Sequence, residues 1–145
     1  MRRVLIYTDG ACSGNPGAGG WGAILMYEGS KKEICGGVAN TTNNQMEITA
    51  AIEALRQLKE PCEVTLYSDS AYLINSFQQH WLEGWKSRNW HNSRGDEVKN
   101  QELWQELDSL AQRHKITWVK VKGHSNDALN NRCDELARGC VANVA

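Results

Sequence analysis

The chain has 145 residues, 41% of them apolar and 23% charged, with a formal net charge of −1. That length suits one domain, residues 1–145, with a core of its own; the composition excludes disorder and collagen-like repeats, and no apolar run approaches the roughly 20 residues of a membrane span. So little net charge advertises no nucleic-acid partner, and any grip on phosphate has to come from a local patch or from bound metal.

The N-terminal Met1-Arg2-Arg3-Val4-Leu5-Ile6-Tyr7-Thr8-Asp9 is basic and then apolar. Asp9 cuts the apolar run too short for a secretory signal, so Val4 to Tyr7 is predicted to be a strand ending at Asp9. Asn15-Pro16-Gly17-Ala18-Gly19-Gly20 is a turn cluster. Trp21 to Tyr27 and Glu33 to Val38 read as two further strands of an antiparallel meander. Thr42-Asn43-Asn44-Gln45 has a capping hydroxyl with Gln three residues on, which predicts a helix from near Thr42 to about Leu58, closed by Pro61. A strand over Glu63 to Ser68 and a helix over Ser70 to Gln79 follow. Another helix is predicted over Asn100 to His114, with Leu103, Leu107 and Leu110 on one stripe, then a strand over Ile116 to Val121 and a helix from Asn130 to about Val141. The order βββαβααβα describes an α/β fold, a five-stranded mixed sheet flanked by helices. The five cysteines (Cys12, Cys35, Cys62, Cys133 and Cys140) are odd in number, scattered and without a Cys-x-x-Cys pair. They read as buried or idle thiols of a cytoplasmic protein, neither a disulfide framework nor a zinc site.

Two predicted strands end alike, Leu5-Ile6-Tyr7-Thr8-Asp9 and Thr65-Leu66-Tyr67-Ser68-Asp69. If they are parallel neighbours their carboxyl ends lie about 4.8 Å apart, at the sheet edge where α/β folds gather ligands. Two carboxylates so close repel, and a divalent cation such as Mg²⁺ resolves the conflict. The competing reading is that each aspartate caps the next turn, which suits Asp69 with a helix starting at Ser70. Glu47 shares a helical stripe with Ala51, Ala54 and Leu58, which points it toward the core, although a boundary Glu near a helix N-terminus is also ordinary. On the last helix Asp134 lines up with Ala137 and Val141, an inward stripe, whereas Glu135 lines up with Arg138. Asp134 is therefore the fourth candidate. Four such carboxylates can hold two metals and stabilise both oxygens of a phosphoryl displacement.

Tyr7-Thr8-Asp9-Gly10-Ala11-Cys12-Ser13-Gly14-Asn15-Pro16-Gly17, Thr42-Asn43-Asn44-Gln45-Met46-Glu47, Tyr67-Ser68-Asp69-Ser70 and Val121-Lys122-Gly123-His124 followed by Arg132-Cys133-Asp134-Glu135-Leu136-Ala137 together resemble bacterial type 1 ribonuclease H, in order and at that family's spacing. The resemblance implies the ribonuclease H fold and an endonuclease that hydrolyses the RNA strand of RNA/DNA hybrids, leaving 3′-hydroxyl and 5′-phosphate ends. It implies two Mg²⁺, with Mn²⁺ as a substitute, held by Asp9, Glu47, Asp69 and Asp134. Asp9 would bridge them, Asp134 would serve the metal that activates water, and Glu47 and Asp69 would serve the other. His124 would match the family histidine that moves protons or releases product, a role suited to imidazole. His80, His91 and His114 match no catalytic position.

A sequence-blind enzyme has to read the 2′-hydroxyl and the helix shape. Asn15, Asn43 and Asn44 are short amides close to the carboxylates in the chain, and backbone groups around Gly10 and Cys12 can join them. By resemblance Asn15 and Thr42 also match positions that hold a DNA-strand phosphate. Turn and cap chemistry is the plainer use of these residues, and the two roles are compatible. Between His80 and Asn100, Trp81, Trp85 and Trp90 are interleaved with Lys86, Arg88, Arg94 and Lys99, matching the family's basic protrusion. Glu83, Asp96 and Glu97 dilute those four cations to a local net of +1. Trp81 and Trp85 lie four apart on a helical stretch, where core packing is the commoner role. Asn126, Asn131 and Ala71 depart from the family pattern, and Asp127 adds an acid that tunes His124, attracts metal or caps the last helix. A monomer is expected. Rival readings are a DNA-directed nuclease of the same fold and a non-catalytic hybrid-binding module. An aspartyl phosphatase lacks its second Asp, and the glycine run lacks the Gly-Lys-Ser/Thr of a P-loop.

Overall fold

The computed structural model describes residues 1–122 and 127–142. Three antiparallel strands come first, β1 (Arg2–Ser13), β2 (Gly17–Tyr27) and β3 (Ser30–Thr41). Then follow α1 (Asn43–Arg56), β4 (Cys62–Ser68), α2 (Ala71–Gln78), α3 (Trp81–Ser87), α4 (Gln101–Ala111), β5 (Lys115–Lys120) and α5 (Ala128–Ala142). The sheet order is β3-β2-β1-β4-β5, with β4 parallel to both β1 and β5. The five-stranded mixed sheet is therefore as predicted. The short helix α3 adds one element to the predicted order, set off from α2 by His80 in left-handed backbone, φ 59°.

Strand alternation sends successive side chains to opposite faces. On one face Val4, Ile6, Val64 and Leu66 meet Ile48, Ala51 and Leu55 of α1, Leu73 and Ile74 of α2, and Trp104 and Leu107 of α4. On the other face Tyr7 and Ile24 pack under Cys133, Leu129 and Leu136 of α5. Half of the predicted capping box forms. The Thr42 hydroxyl accepts from the Gln45 amide at 3.2 Å, but the Gln45 side chain turns to Thr41 and Asn100 instead of reaching back. Among the described residues no helix is long and apolar enough to cross a membrane.

Two expectations are corrected. Strand β1 does not end at Asp9; it continues to Ser13, paired with β2 through Asp9↔Gly22, Ala11↔Gly20 and Ser13↔Ala18. Gly17 to Gly20 consequently belong to β2, and only Gly14 to Pro16 form the turn. The cysteines are not all idle thiols either. Cys35 and Cys140 are disulfide-bonded, their Cα atoms 6.4 Å apart, while Cys12, Cys62 and Cys133 are free. Cys35 lies opposite Gly22, over which α5 passes, so two cysteines 105 residues apart in sequence meet across the sheet face. Thiol titration of the unfolded, unreduced protein should therefore count three free thiols against five after reduction. Five in both would show that the pair does not form in solution.

Candidate metal centre and nucleic-acid interface

The chemistry gathers where β1 and β4 part. Their pairing ends at Tyr7↔Tyr67, with the two rings stacked at 4.5 Å. Two residues on, Asp9 continues with β2 while β4 stops at Ser68 and the chain turns into α2. The Ser70 hydroxyl, not Asp69, caps that helix by accepting from the Leu73 amide at 3.1 Å. The capping reading of Asp69 fails, and its carboxylate is left for the crevice. Glu47 arrives from α1, which lies so close to β1 that a Cβ on Gly10 would sit 2.6 Å from the Glu47 nitrogen. Only glycine permits that approach.

One carboxylate oxygen each from Asp9, Glu47 and Asp69 lies within 4.8 Å of the others. Asp9 is 4% and Glu47 8% exposed, and among the described residues Glu47 Oε1 has no hydrogen-bond partner. Burial first, then the neighbouring Asp69, pushes the Asp9 carboxyl up to about 7. Burial and then Asp9 and Asp69 hold Glu47 well above the usual carboxylate range. Acids that buried and that close ionise together only with a cation among them. An oxygen-only donor set with an orphaned carboxylate oxygen fits a hard divalent ion such as Mg²⁺.

Asp134 lines the same cavity of about 260 Å³, together with Gly10, Asn43, Asn44, Ser70, Asn130 and Asn131. It stands beside the three-carboxylate group, with one oxygen 2.8 Å from Arg138 Nε. Glu135 turns instead to Arg132 and is 59% exposed in its side chain. Helix α5 reaches this position because β2 is bare beneath it; a Cβ on Gly22 would lie 2.8 to 3.0 Å from Leu136, Cys133 and Ala137. A larger cavity of about 360 Å³ at the opposite end of the sheet is lined by residues including Val4, Leu25, Leu58 and Lys59. Its lining holds Glu60 as its one acid, so the smaller acidic cleft is the candidate site.

Of the residues expected to touch substrate, Asn43 and Asn44 line the cleft. Asn15 supports them, its side-chain oxygen accepting from the Asn43 amide at 3.1 Å. Thr42 caps α1, and the Cys12 thiol donates to the Gly14 carbonyl at 2.8 Å. Trp81, Trp85, Lys86, Arg88 and Lys99 do not line the cleft. Trp85 packs against Trp104, as two-faced core packing would have it, whereas Trp81 is 40% exposed. Lys86 is paired with Asp108 at 3.0 Å, and Arg88 donates to the His91 carbonyl. His124 lies outside the described residues. His114 is structural, its Nδ1 accepting from the Cys62 amide at 3.0 Å, and its burial lowers its pKa. Sequence reasoning missed Asn130, which is 3% exposed with an unpartnered side-chain oxygen among the described residues. Its position four residues before Asp134, on the same helix face, was the available signal.

The ribonuclease H family model matches residues 1–141. The ribonuclease H of Acetivibrio thermocellus is 65% identical over 137 residues, covering 94% of this chain and 93% of that protein. That of Symbiobacterium thermophilum is 62% identical over 142 residues, covering 98% and 97%. Among solved structures, LC9-RNase H1, a type 1 enzyme with the type 2 active-site motif, matches with a TM-score of 0.89 at 28% identity, over 100% of this chain and 74% of that one. LC11-RNase H1, solved in complex with RNA/DNA hybrid, shares the fold with a TM-score of 0.72 at 24% identity, over 97% of each chain. With a family model running through nearly its whole length and relatives this similar, the chain belongs to the ribonuclease H family.

Proposed function

We propose that this chain is a cytoplasmic, monomeric endoribonuclease of one catalytic domain. It hydrolyses the RNA strand of RNA/DNA hybrids by divalent-metal catalysis, leaving 3′-hydroxyl and 5′-phosphate ends. The observation that carries the reading is the trio Asp9, Glu47 and Asp69, the first two buried, which repel one another and present an orphaned oxygen, with Asp134 on the same cavity wall. Asp9, Glu47, Asp69 and Asp134 would hold two Mg²⁺, with Mn²⁺ as a substitute. Bound there, the ions supply an activated water and neutralise charge on the entering and leaving oxygens.

The protein's own groups do the rest. The carboxylates fix where the ions would sit and so where charge on the phosphodiester would be neutralised. Asn43, Asn44 and Asn130 present amides that can donate to and accept from a ribose 2′-hydroxyl, the group that separates RNA from DNA. Asn15 holds the start of α1, and with it Asn43, from the facing turn. His124 would move a proton or help product leave. Trp81, Arg88, Arg94 and Lys99 would meet the flanking duplex, with Lys86 and Trp85 shaping that surface from behind.

Cleavage of a labelled RNA strand, offered alone, in RNA/RNA and in RNA/DNA, with and without Mg²⁺, tests the reading. Cutting should be confined to the hybrid and require metal. Cutting of DNA instead would make this a DNA-directed nuclease, and hybrid binding without cutting would make it a binding module. Asp69→Asn should keep the fold and lower cleavage more than about a hundredfold, because even partners one shell out from a metal cost 10–100-fold; a folded variant that still cuts would remove Asp69 from the site.

The raised carboxyls set a pH dependence. With Asp9 held near about 7 in the folded protein and near about 4 when unfolded, the folded state binds more protons between those values. Stability of the metal-free protein should therefore fall as pH rises from about 4 to about 7 through this group and level off above. Mg²⁺ competes with those protons, so the melting-temperature gain on adding Mg²⁺ should be larger at pH 8 than at pH 5.5. An equal gain at both would contradict it. Finally, with Lys86 engaged by Asp108 and a local charge of only +1, hybrid affinity should depend on salt less steeply than in a relative with a lysine-rich protrusion. Each phosphate contact missing lowers the slope by roughly 0.7–0.9, and an equal slope in parallel titrations would refute this.

A further inference from the structure

Asp127, the acid that the family pattern does not require, sits at the junction of the elements that build the cleft. It immediately precedes α5, and its Oδ1 accepts from the amides of Leu129 at 3.1 Å and Asn130 at 3.2 Å. Its backbone carbonyl accepts from the Asn131 amide at 3.0 Å. This is the bonding of a helix N-cap, which satisfies donors that the first turn cannot pair internally. The same carboxylate faces the Tyr7 hydroxyl, whose pKa burial first and then Asp127 push up to about 12. Tyr7 is 9% exposed and stacked on Tyr67; these tyrosines stand two residues before Asp9 and Asp69. One side chain therefore stands between the start of α5 and the tyrosine pair that precedes the two aspartates. Asn130 and Asp134 lie three and seven residues further along α5, one and two turns on and so over the same face. Lower down, the Cys133 thiol donates to the carbonyls of Tyr7 and Gly22, each at 3.3 Å. Asp127 thus controls the end of α5 nearest the cleft, and Cys133 and Gly22 control its middle.

We propose that Asp127 is a positioning residue for the metal centre, setting where Asn130 and Asp134 stand relative to Asp9 by clamping the first turn of α5 to Tyr7. The proposal rests on the reading of the cleft as a Mg²⁺ site. It assigns Asp127 to neither metal nor substrate, and explains how this chain secures α5 with Asp at that position.

Three variants test it: Asp127→Ala removes cap and clamp, Asp127→Asn keeps the capping oxygen and offers the Tyr7 hydroxyl an amide N–H in place of the second oxygen, and Tyr7→Phe keeps the cap but removes the clamp. For each, Mg²⁺ affinity of the free protein is measured by calorimetry, alongside melting temperature and the kcat and KM for hybrid cleavage. Asp127→Ala should weaken Mg²⁺ binding by about tenfold, the scale of second-shell losses, and lower kcat with KM little changed. Asp127→Asn should restore most of both, and Tyr7→Phe should show part of the Mg²⁺ loss. A lower melting temperature with wild-type Mg²⁺ affinity and kcat in Asp127→Ala would reduce Asp127 to an ordinary cap and overturn the proposal. Should Asp127→Ala not fold, wild-type Mg²⁺ affinity in Tyr7→Phe overturns it equally. A wild-type protein that binds no Mg²⁺ refutes the metal reading and the proposal with it, whereas wild-type binding shared by all variants refutes the proposal alone.

Discussion

The parallel pairing of β1 with β4 is the constraint on which the cleft depends. Tyr7 lies opposite Tyr67, so Asp9 and Asp69, each two residues on, stand at the same level. A slip of one residue would turn every side chain of one strand to the other face, burying Tyr7 where Ile6 belongs and carrying Asp9 away from Glu47. The register is held by Val4, Ile6, Val64 and Leu66, all 4% exposed or less. Core packing and chemistry are thus one specification: the residues that align the strands are also those that align the acids.

That alignment carries an electrostatic cost that the protein leaves unresolved. Asp9 and Glu47 are buried among like charges, and Arg138 is committed to Asp134. An Arg or Lys inserted into the trio would lower the repulsion and fill the space an ion needs. The fold instead secures the surrounding elements. Gly10 and Gly22 bring α1 and α5 onto the bare strands, Cys35–Cys140 ties the far end of α5 to β3, and Asp127 caps its near end. Rigid neighbours hold the acids together against a repulsion that a bound cation or protonation relieves.

These arrangements differ in how far they were legible in the sequence. The matched placing of Asp9 and Asp69 was visible because parallel strands with alternating burial leave a local mark, although β1 does not end there. Glu47 and the choice of Asp134 over Glu135 followed from helical stripes, which report the face a helix turns to the core. The continuation of β1 beyond Asp9 was not visible, because Gly17 to Gly20 have the composition of a turn and became strand through close helix packing. The Cys35–Cys140 pairing was hidden for a related reason: no local pattern records that α5 crosses β3. Asp69 looked like a helix cap until Ser70, its neighbour with equal capping chemistry, proved to take that role. Asn130 stood out only once its burial beside the acids was known.

Chemistry and grip are separated in this molecule, and the separation explains how a protein of net charge −1 can suit a polyanionic partner. The cleft itself is acidic, so without metal it repels phosphate; with divalent ions bound, the same carboxylates become an anchor for it. The segment around α3 contributes few uncommitted cations, and Trp85 secures that segment to the core by packing on Trp104. What would remain for a duplex is a modest basic edge beside an acidic cleft. On the proposed reading the ions would serve binding as well as bond cleavage, and selectivity for a ribose would fall to the short amides of Asn43, Asn44 and Asn130, which stand at the same two helix starts that place Glu47 and Asp134.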